Sequence, residues 1–264
     1  LGRATRREAI AYLERRPYEN VFLQSVIEAP RTADALFVWR DYNQAVSGVV
    51  YFGAHAVVAA DDDTAVDAFA VEARRHPGLR SFVGPADRLA HFWARVQVWH
   101  PPPSIIRGRQ PLYALLPAAL NAPERVAIRR AVPNEAEAIA GNSAEMMIGE
   151  LGYDPRERSG FTANVRRAIE AGLWWVWMSE GELRFQCNIG ARTSRTAQIQ
   201  GVWTPPARRG HGFARAALGS ISAALLDECA TLSLYVNDFN RPAIALYEQL
   251  GYVQVATFAT YLFA

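Results

Sequence analysis

The chain has 264 residues, half of them hydrophobic and a fifth charged, with a formal net charge of +2. That is globular rather than disordered composition, long enough for one large domain or two ordinary ones. The arginines are scattered, paired only in short doublets such as Arg6-Arg7, Arg15-Arg16 and Arg208-Arg209, so no nucleic-acid partner is expected. Cys187, Cys229 and the five histidines show no metal-ligand spacing, so no metal is expected and both thiols read as reduced. No run approaches the ~20 apolar residues of a membrane span. No charged-then-apolar signal segment opens the sequence, and a cytoplasmic protein without a membrane partner is expected.

Along the first part of the chain, Asn20 reads as the cap of a helix through Val21, Phe22, Val26 and Ile27. The stretches Ala35–Trp39 and Val46–Phe52 read as strands. Asp61-Asp62-Asp63-Thr64 opens a helix over Ala65–Arg75, because carboxylates favour the amide end; a capping cluster explains them better than a metal site. Ser81–Gly84 and Leu112–Leu115 read as further strands, and no catalytic constellation stands among these residues. Prolines mark Pro101-Pro102-Pro103 and then the break Leu116–Pro123. The second break reads as an interdomain linker, giving an N-terminal α/β domain over 1–122 and a C-terminal domain over 123–264.

The second part has a clearer order. Val126–Ala131 is a strand, Pro133 opens a helix through Met147, and Phe161–Ala171 is a second helix stopped at Gly172. Three strands follow over Leu173–Met178, Leu183–Ile189 and Ala197–Thr204, the first pair joined by a tight turn at Ser179–Glu182. A helix from Gly212 to Cys229, a strand at Leu232–Val236, a helix at Pro242–Leu250 and a last strand to Phe263 complete the chain. The order β-α-α-β-β-β-α-β-α-β predicts a mixed sheet with helices on both faces, an α/β fold. Trp174, Trp175 and Trp177 alternate along a strand and read mainly as core, with one of them open to line a pocket.

The chemistry concentrates where the strand ending Gln200-Gly201-Val202-Trp203-Thr204 runs through Pro205-Pro206 into Arg209-Gly210-His211-Gly212-Phe213-Ala214. Free amides at a helix start bind phosphate oxygens, and glycines at 210 and 212 let a pyrophosphate approach the backbone. Alone, such a turn is equally a tight strand-to-helix connection. Arg209–Ala214 resembles the Q/R-x-x-G-x-G/A signature of the GNAT superfamily of N-acetyltransferases. Downstream, Asn240, Ala243, Leu246, Tyr247, Gly251 and Tyr252 fit that superfamily's N-x-x-A-x-x-L-Y-x-x-x-G-F/Y signature, in the expected order. Ala197–Trp203, Leu234–Asn240 and Phe258–Phe263 further resemble a two-domain branch whose uncharacterised N-terminal domain is itself a degenerate GNAT-like half.

The resemblance implies a GNAT fold in the C-terminal half and acetyl-CoA as acyl donor. It implies that the backbone of Val202, Trp203 and Thr204 pairs with the pantetheine arm. The amides of Arg209, Gly210, His211, Gly212, Phe213 and Ala214 would hold the pyrophosphate, and Asn240 would contact the donor, cap its helix, or both. Tyr247 is the expected general acid for the departing thiolate; alternatively its hydroxyl only positions the donor sulfur, or its ring is ordinary core. The strand before the loop offers Gln198 and Gln200, which cannot act as bases; Glu145 and Glu150 are the alternatives, each also readable as a solvated helix-surface residue. With no cysteine in a catalytic motif, direct attack by an amine in a ternary complex is expected. The acceptor, a small-molecule or protein amine, is not legible. The N-terminal domain would cover one side of the acceptor site or form a homodimer contact. A non-catalytic acyl-CoA sensor and an enzyme using longer acyl donors are the competing readings.

Overall fold

The computed structural model describes residues 3–29, 35–152, 154–157 and 159–263. The N-terminal half opens with α1 (Arg3–Leu13) and α2 (Pro17–Glu28). The sequence marks a helix start at Asn20, but α2 begins at Pro17, where a missing amide costs nothing in the first turn. Asn20 instead sits inside α2 and donates from Nδ2 to the Leu13 carbonyl at 3.1 Å, fastening α2 to the end of α1. β1 (Leu36–Arg40), β2 (Val46–Phe52) and β3 (His55–Ala60) form an antiparallel meander. A helix, α3 (Asp63–Ala73), crosses over to β4 (Ser81–Pro85), parallel to β3. As expected, aspartate caps α3: Asp62 Oδ1 accepts from the Ala65 amide at 2.8 Å. Then come α4 (Ala86–Val96) and β5 (Ile105–Leu115).

The C-terminal half repeats this order. After β6 (Ile128–Arg130) come α5 (Ala136–Leu151), α6 (Phe161–Glu170), and the antiparallel strands β7 (Trp174–Ser179), β8 (Glu182–Arg192) and β9 (Thr196–Trp203). The turn between β7 and β8 places Glu180 and Gly181 at φ 54° and 77°, the left-handed pair a two-residue hairpin requires. α7 (Phe213–Leu226) crosses over to β10 (Thr231–Tyr235), parallel to β9, followed by α8 (Arg241–Gln249) and β11 (Val253–Leu262). Among the described residues no helix is long and apolar enough to cross a membrane.

All eleven described strands join one sheet, in the order β1-β2-β3-β4-β11-β5-β10-β9-β8-β7-β6. The two halves thus exchange their final strands. β11 pairs antiparallel with β4 of the first half, and β5 pairs antiparallel with β10 of the second. The exchange is packed on both sides. Tyr113 and Leu115 of β5 belong to the core formed by Phe185, Ile199, Leu218 and Leu232, whereas Ala259 and Tyr261 of β11 join Val58, Phe82 and Phe92. The proline break at 116–123 therefore separates segments in sequence, but β5 and β11 cross it in the sheet.

Candidate active site

The parallel pairing of β9 with β10 stops early. It runs only from Thr196–Thr231 to Gln198–Ser233, while β9 continues to Trp203. Near its end β9 bulges: Gln186 lies opposite Trp203, but Asn188 lies opposite Gln200. Gly201 adopts φ 60° there, and a Cβ would sit 2.6 Å from Asn188 Oδ1, so any other residue would strain the backbone and displace Asn188. The two strands part beyond Gln198, and the β9 backbone edge facing β10 is left unpaired. A cavity of about 780 Å³ opens in the gap and runs through the sheet. Ile199, Leu234 and Tyr247 line it from the α7 face, and Gln200, Tyr235 and Glu150 from the α5 face.

Each expected donor-site residue except His211 lines this cavity. Gly210 and Gly212 have φ of 80° and 76°, and nothing lies within 4 Å of where their Cβ atoms would be. The amides from Gly210 to Arg215 make no hydrogen bond among the described residues; the first helical bond is Ala216 N–H to Gly212 O at 3.1 Å. These free amides at the positive end of α7 suit a pyrophosphate. The Trp203 indole N–H and the Thr204 hydroxyl are buried without a partner among the described residues, which suits a polar arm laid along β9. Arg209 packs across the loop: its guanidinium lies 4.4 Å over the Trp203 ring, and Nε donates to the Thr204 carbonyl at 3.1 Å. The His211 side chain is engaged elsewhere, with Nδ1 2.8 Å from the Arg209 carbonyl oxygen and its ring stacked on Phe213.

Asn240 caps α8, its Oδ1 accepting from the Ala243 amide at 3.3 Å, and also lines the cavity. About two turns on, Tyr247 is 5% exposed, with its ring packed between Tyr113 and Tyr252. Its hydroxyl makes no hydrogen bond among the described residues. Burial, followed by the nearby Cys187 thiol and the Glu150 carboxylate, pushes the phenol well above its ordinary value of 10.0. Tyr247 is therefore held protonated, with a donor free to point into the cavity. Cys187 is fully buried in the core, its thiol driven up by burial, and neither cysteine lines the cavity.

The far end of the cavity is formed by α5 and β5. Glu145 and Glu150 both line it, from the last turns of α5. Gln198 and Gln200 point to this face too, Gln200 Nε2 donating to Gln198 Oε1 at 3.2 Å. The tryptophans of β7 do not line the cavity: Trp174 and Trp175 are core, and Trp177 packs edge-on against Phe213. Sequence reasoning misses Arg107 and Gln110, which β5 carries into the wall. Gln110 is 2% exposed; its Nε2 donates to Asn237 Oδ1 at 3.0 Å and its Oε1 accepts from Thr260 Oγ1 at 2.6 Å. Asn237, for which the sequence favours a turn role over a weaker claim to contact the donor, thereby becomes part of the wall.

Residues 146–252 match the acetyltransferase (GNAT) family, and residues 35–139 match a domain of unknown function (DUF4081). No curated protein matches the chain. Among solved structures, a GCN5-related N-acetyltransferase from Kribbella flavida is 20% identical with a TM-score of 0.55, over 96% of this chain and 93% of that one. A GNAT-family acetyltransferase from Colwellia psychrerythraea is 11% identical with a TM-score of 0.58, over 100% and 98%. A tandem GNAT protein from the clavulanic acid biosynthesis pathway is 15% identical with a TM-score of 0.52, over 92% and 87%. At these identities the likeness is one of fold. The chain thus has a two-domain architecture, with an uncharacterised N-terminal domain and a C-terminal domain of GNAT fold that matches the acetyltransferase (GNAT) family.

Proposed function

We propose that the protein transfers an acetyl group from acetyl-CoA to a primary amine, by direct attack while donor and acceptor are bound together. The observation that carries this reading is the parting of β9 and β10 against the free amides of α7, with Tyr247 buried in the same cavity. In this reading the unpaired edge of Val202–Thr204 pairs with the pantetheine amides as an added strand, and the amides of Gly210–Ala214 hold the pyrophosphate. The donor supplies an activated acyl carbonyl. The acceptor enters from the α5 face, where the neutral amine forms the new C–N bond as the C–S bond breaks.

One proton must leave the amine and one must reach the departing sulfur. The departing sulfur takes one from the Tyr247 hydroxyl. An ordinary phenol is a weaker acid than an ordinary thiol, about 10 against about 8.5. Burial raises both groups, however, so the buried sulfur also gains from protonation. The amine's proton leaves toward Glu150, whose charge is felt at Tyr247 and whose carboxylate lines the acceptor end; after product release a proton returns through solvent from Glu150 to the Tyr247 phenolate, closing the cycle. With Cys187 fully buried, no thiol is placed to form an acyl-enzyme.

Calorimetric titration with acetyl-CoA, followed by thiol release with a panel of amines, tests the proposal. Saturable binding together with amine-dependent thiol release is expected. Binding without release under any amine would mean an acyl-CoA sensor, and tighter binding of long-chain acyl-CoA would mean a different acyl donor.

A further inference from the structure

The cations lining the cavity fall into two groups. Arg208, Arg209 and Arg215 belong to the loop and first turn of α7. Arg208 pairs with Glu182, and Arg209 is committed to Trp203 and the Thr204 carbonyl. Arg107 stands apart, on β5 at the α5 face, with its side chain 16% exposed. It spends a single nitrogen on protein partners: Nη2 donates to Glu150 Oε2 at 3.1 Å and to the Glu150 carbonyl at 3.4 Å. Nη1 and Nε make no hydrogen bond among the described residues. A guanidinium is always charged, and leaving its donors unmet in a partly buried place is unfavourable. The planar fork is shaped for two parallel hydrogen bonds to a carboxylate.

Opposite charge lies beside it. Glu150 sits against Arg107 on the side where its charge reaches Tyr247, and Glu145 lines the same end without an ion pair among the described residues. This juxtaposition complements a zwitterion. We propose that the open edge of Arg107 binds a carboxylate on the acceptor, so that the acceptor is an amino acid or another carboxylate-bearing amine. This rests on the acetyl-transfer reading above. The acceptor's ammonium lies toward Glu150 and Glu145 and loses its proton there. Its carboxylate docks on Nη1 and Nε of Arg107. Because β5 reaches this site by strand exchange, the first half of the chain supplies the residue that selects the acceptor.

The test compares acceptors that differ only by the carboxylate, with acetyl-CoA saturating: phenylalanine against phenethylamine, lysine against cadaverine, and 4-aminobutyrate against propylamine. Thiol release gives kcat/KM for each. At least one pair is expected to favour the carboxylate by about tenfold or more, the worth of a charge-assisted bidentate contact. That ratio is expected to fall to within about threefold in Arg107→Ala, and to be partly restored in Arg107→Lys, which keeps the charge without the fork. The proposal is overturned if no pair favours the carboxylate in the unmodified protein, or if the preference survives Arg107→Ala. Failure of acetyl-CoA to bind would sink the acetyl-transfer reading instead. Binding with acetylation of the plain amines alone would sink only the acceptor assignment.

Discussion

Replacing Tyr247 by phenylalanine separates the chemical role of the hydroxyl from the structural role of the ring. The ring packs between Tyr113 and Tyr252, at centroid distances of 6.2 and 6.0 Å, and phenylalanine keeps both contacts. The hydroxyl has no hydrogen-bond partner among the described residues, so removing it breaks no internal bond. Stability is therefore expected to change by less than about 1 kcal/mol. Turnover is a different matter, because proton donation to a leaving group is worth about a hundredfold to ten-thousandfold in rate. At about 1.4 kcal/mol per tenfold, that is roughly 3–5 kcal/mol, realised only in the transition state. Thermal unfolding, acetyl-CoA titration and thiol release on one preparation are expected to show unchanged melting, unchanged donor affinity and a turnover about a hundredfold lower or less. Turnover within about threefold of the parent would refute the acid assignment, and a matching loss of donor affinity would reassign Tyr247 to holding the donor.

Because burial holds the Tyr247 phenol above its ordinary 10.0, its acid form persists past that value. The rate with a simple alkylamine should rise from about pH 7 to 9.5 as the amine loses its proton, without a falling limb from Tyr247; such a limb in that range would contradict the assignment. Gly251 ends α8 at φ 93°, where an added Cβ would lie 1.8 Å from the Ala119 carbonyl oxygen. Gly251→Ala should cost about 2–5 kcal/mol from backbone strain and overpacking, read as a lower denaturation midpoint. The fragment 123–264 lacks β5, so β10 loses its antiparallel partner and β11 loses both neighbours. It should show none of the cooperative unfolding of the whole chain, and a cooperative, acetyl-CoA-binding fragment would contradict the importance of the exchange.

The loop and the second signature are legible in the sequence because each resides in a short contiguous stretch. Gly210 and Gly212 need left-handed backbone, Asn240 caps a helix, and Tyr247 lies about two helical turns further on; spacing alone brings them together. The order of the second half is legible for the same reason, since its turns carry glycines at 172 and 181 with positive φ. The first half is harder to read. α1 has no acidic residue in its first turn and no basic one in its last. α4 reads poorly for another reason: its N-cap is Pro85, which offers no side-chain cap. β5 contains Pro111 and a bulge against β11, so its polar stretch from Arg107 to Gln110 does not look like a strand. Nothing local says that this strand pairs with β10, far along the chain. Arg107 and Gln110 are invisible as site residues because their neighbourhood is created by long-range pairing.

The exchange also explains how a site whose signatures all lie in the second half comes to depend on the first. Thr260, on the strand that pairs with β4, donates to Gln110 on β5, and Gln110 donates to Asn237 in the cavity wall. All three side chains are buried, so each hydrogen bond is shielded from water and a displaced partner would leave an unmet polar group costing about 1–3 kcal/mol. That cost ties the wall rigidly to the β11–β5 pair at the centre of the sheet. The corresponding start of α3 in the first half is occupied differently: Asp62 caps its own helix and Asp61 and Asp63 flank it, a surrounding that repels phosphate. The first half therefore reaches the chemistry through strands and side chains, by way of Arg107 and the chain of hydrogen bonds, rather than through a phosphate-binding helix start like that of α7.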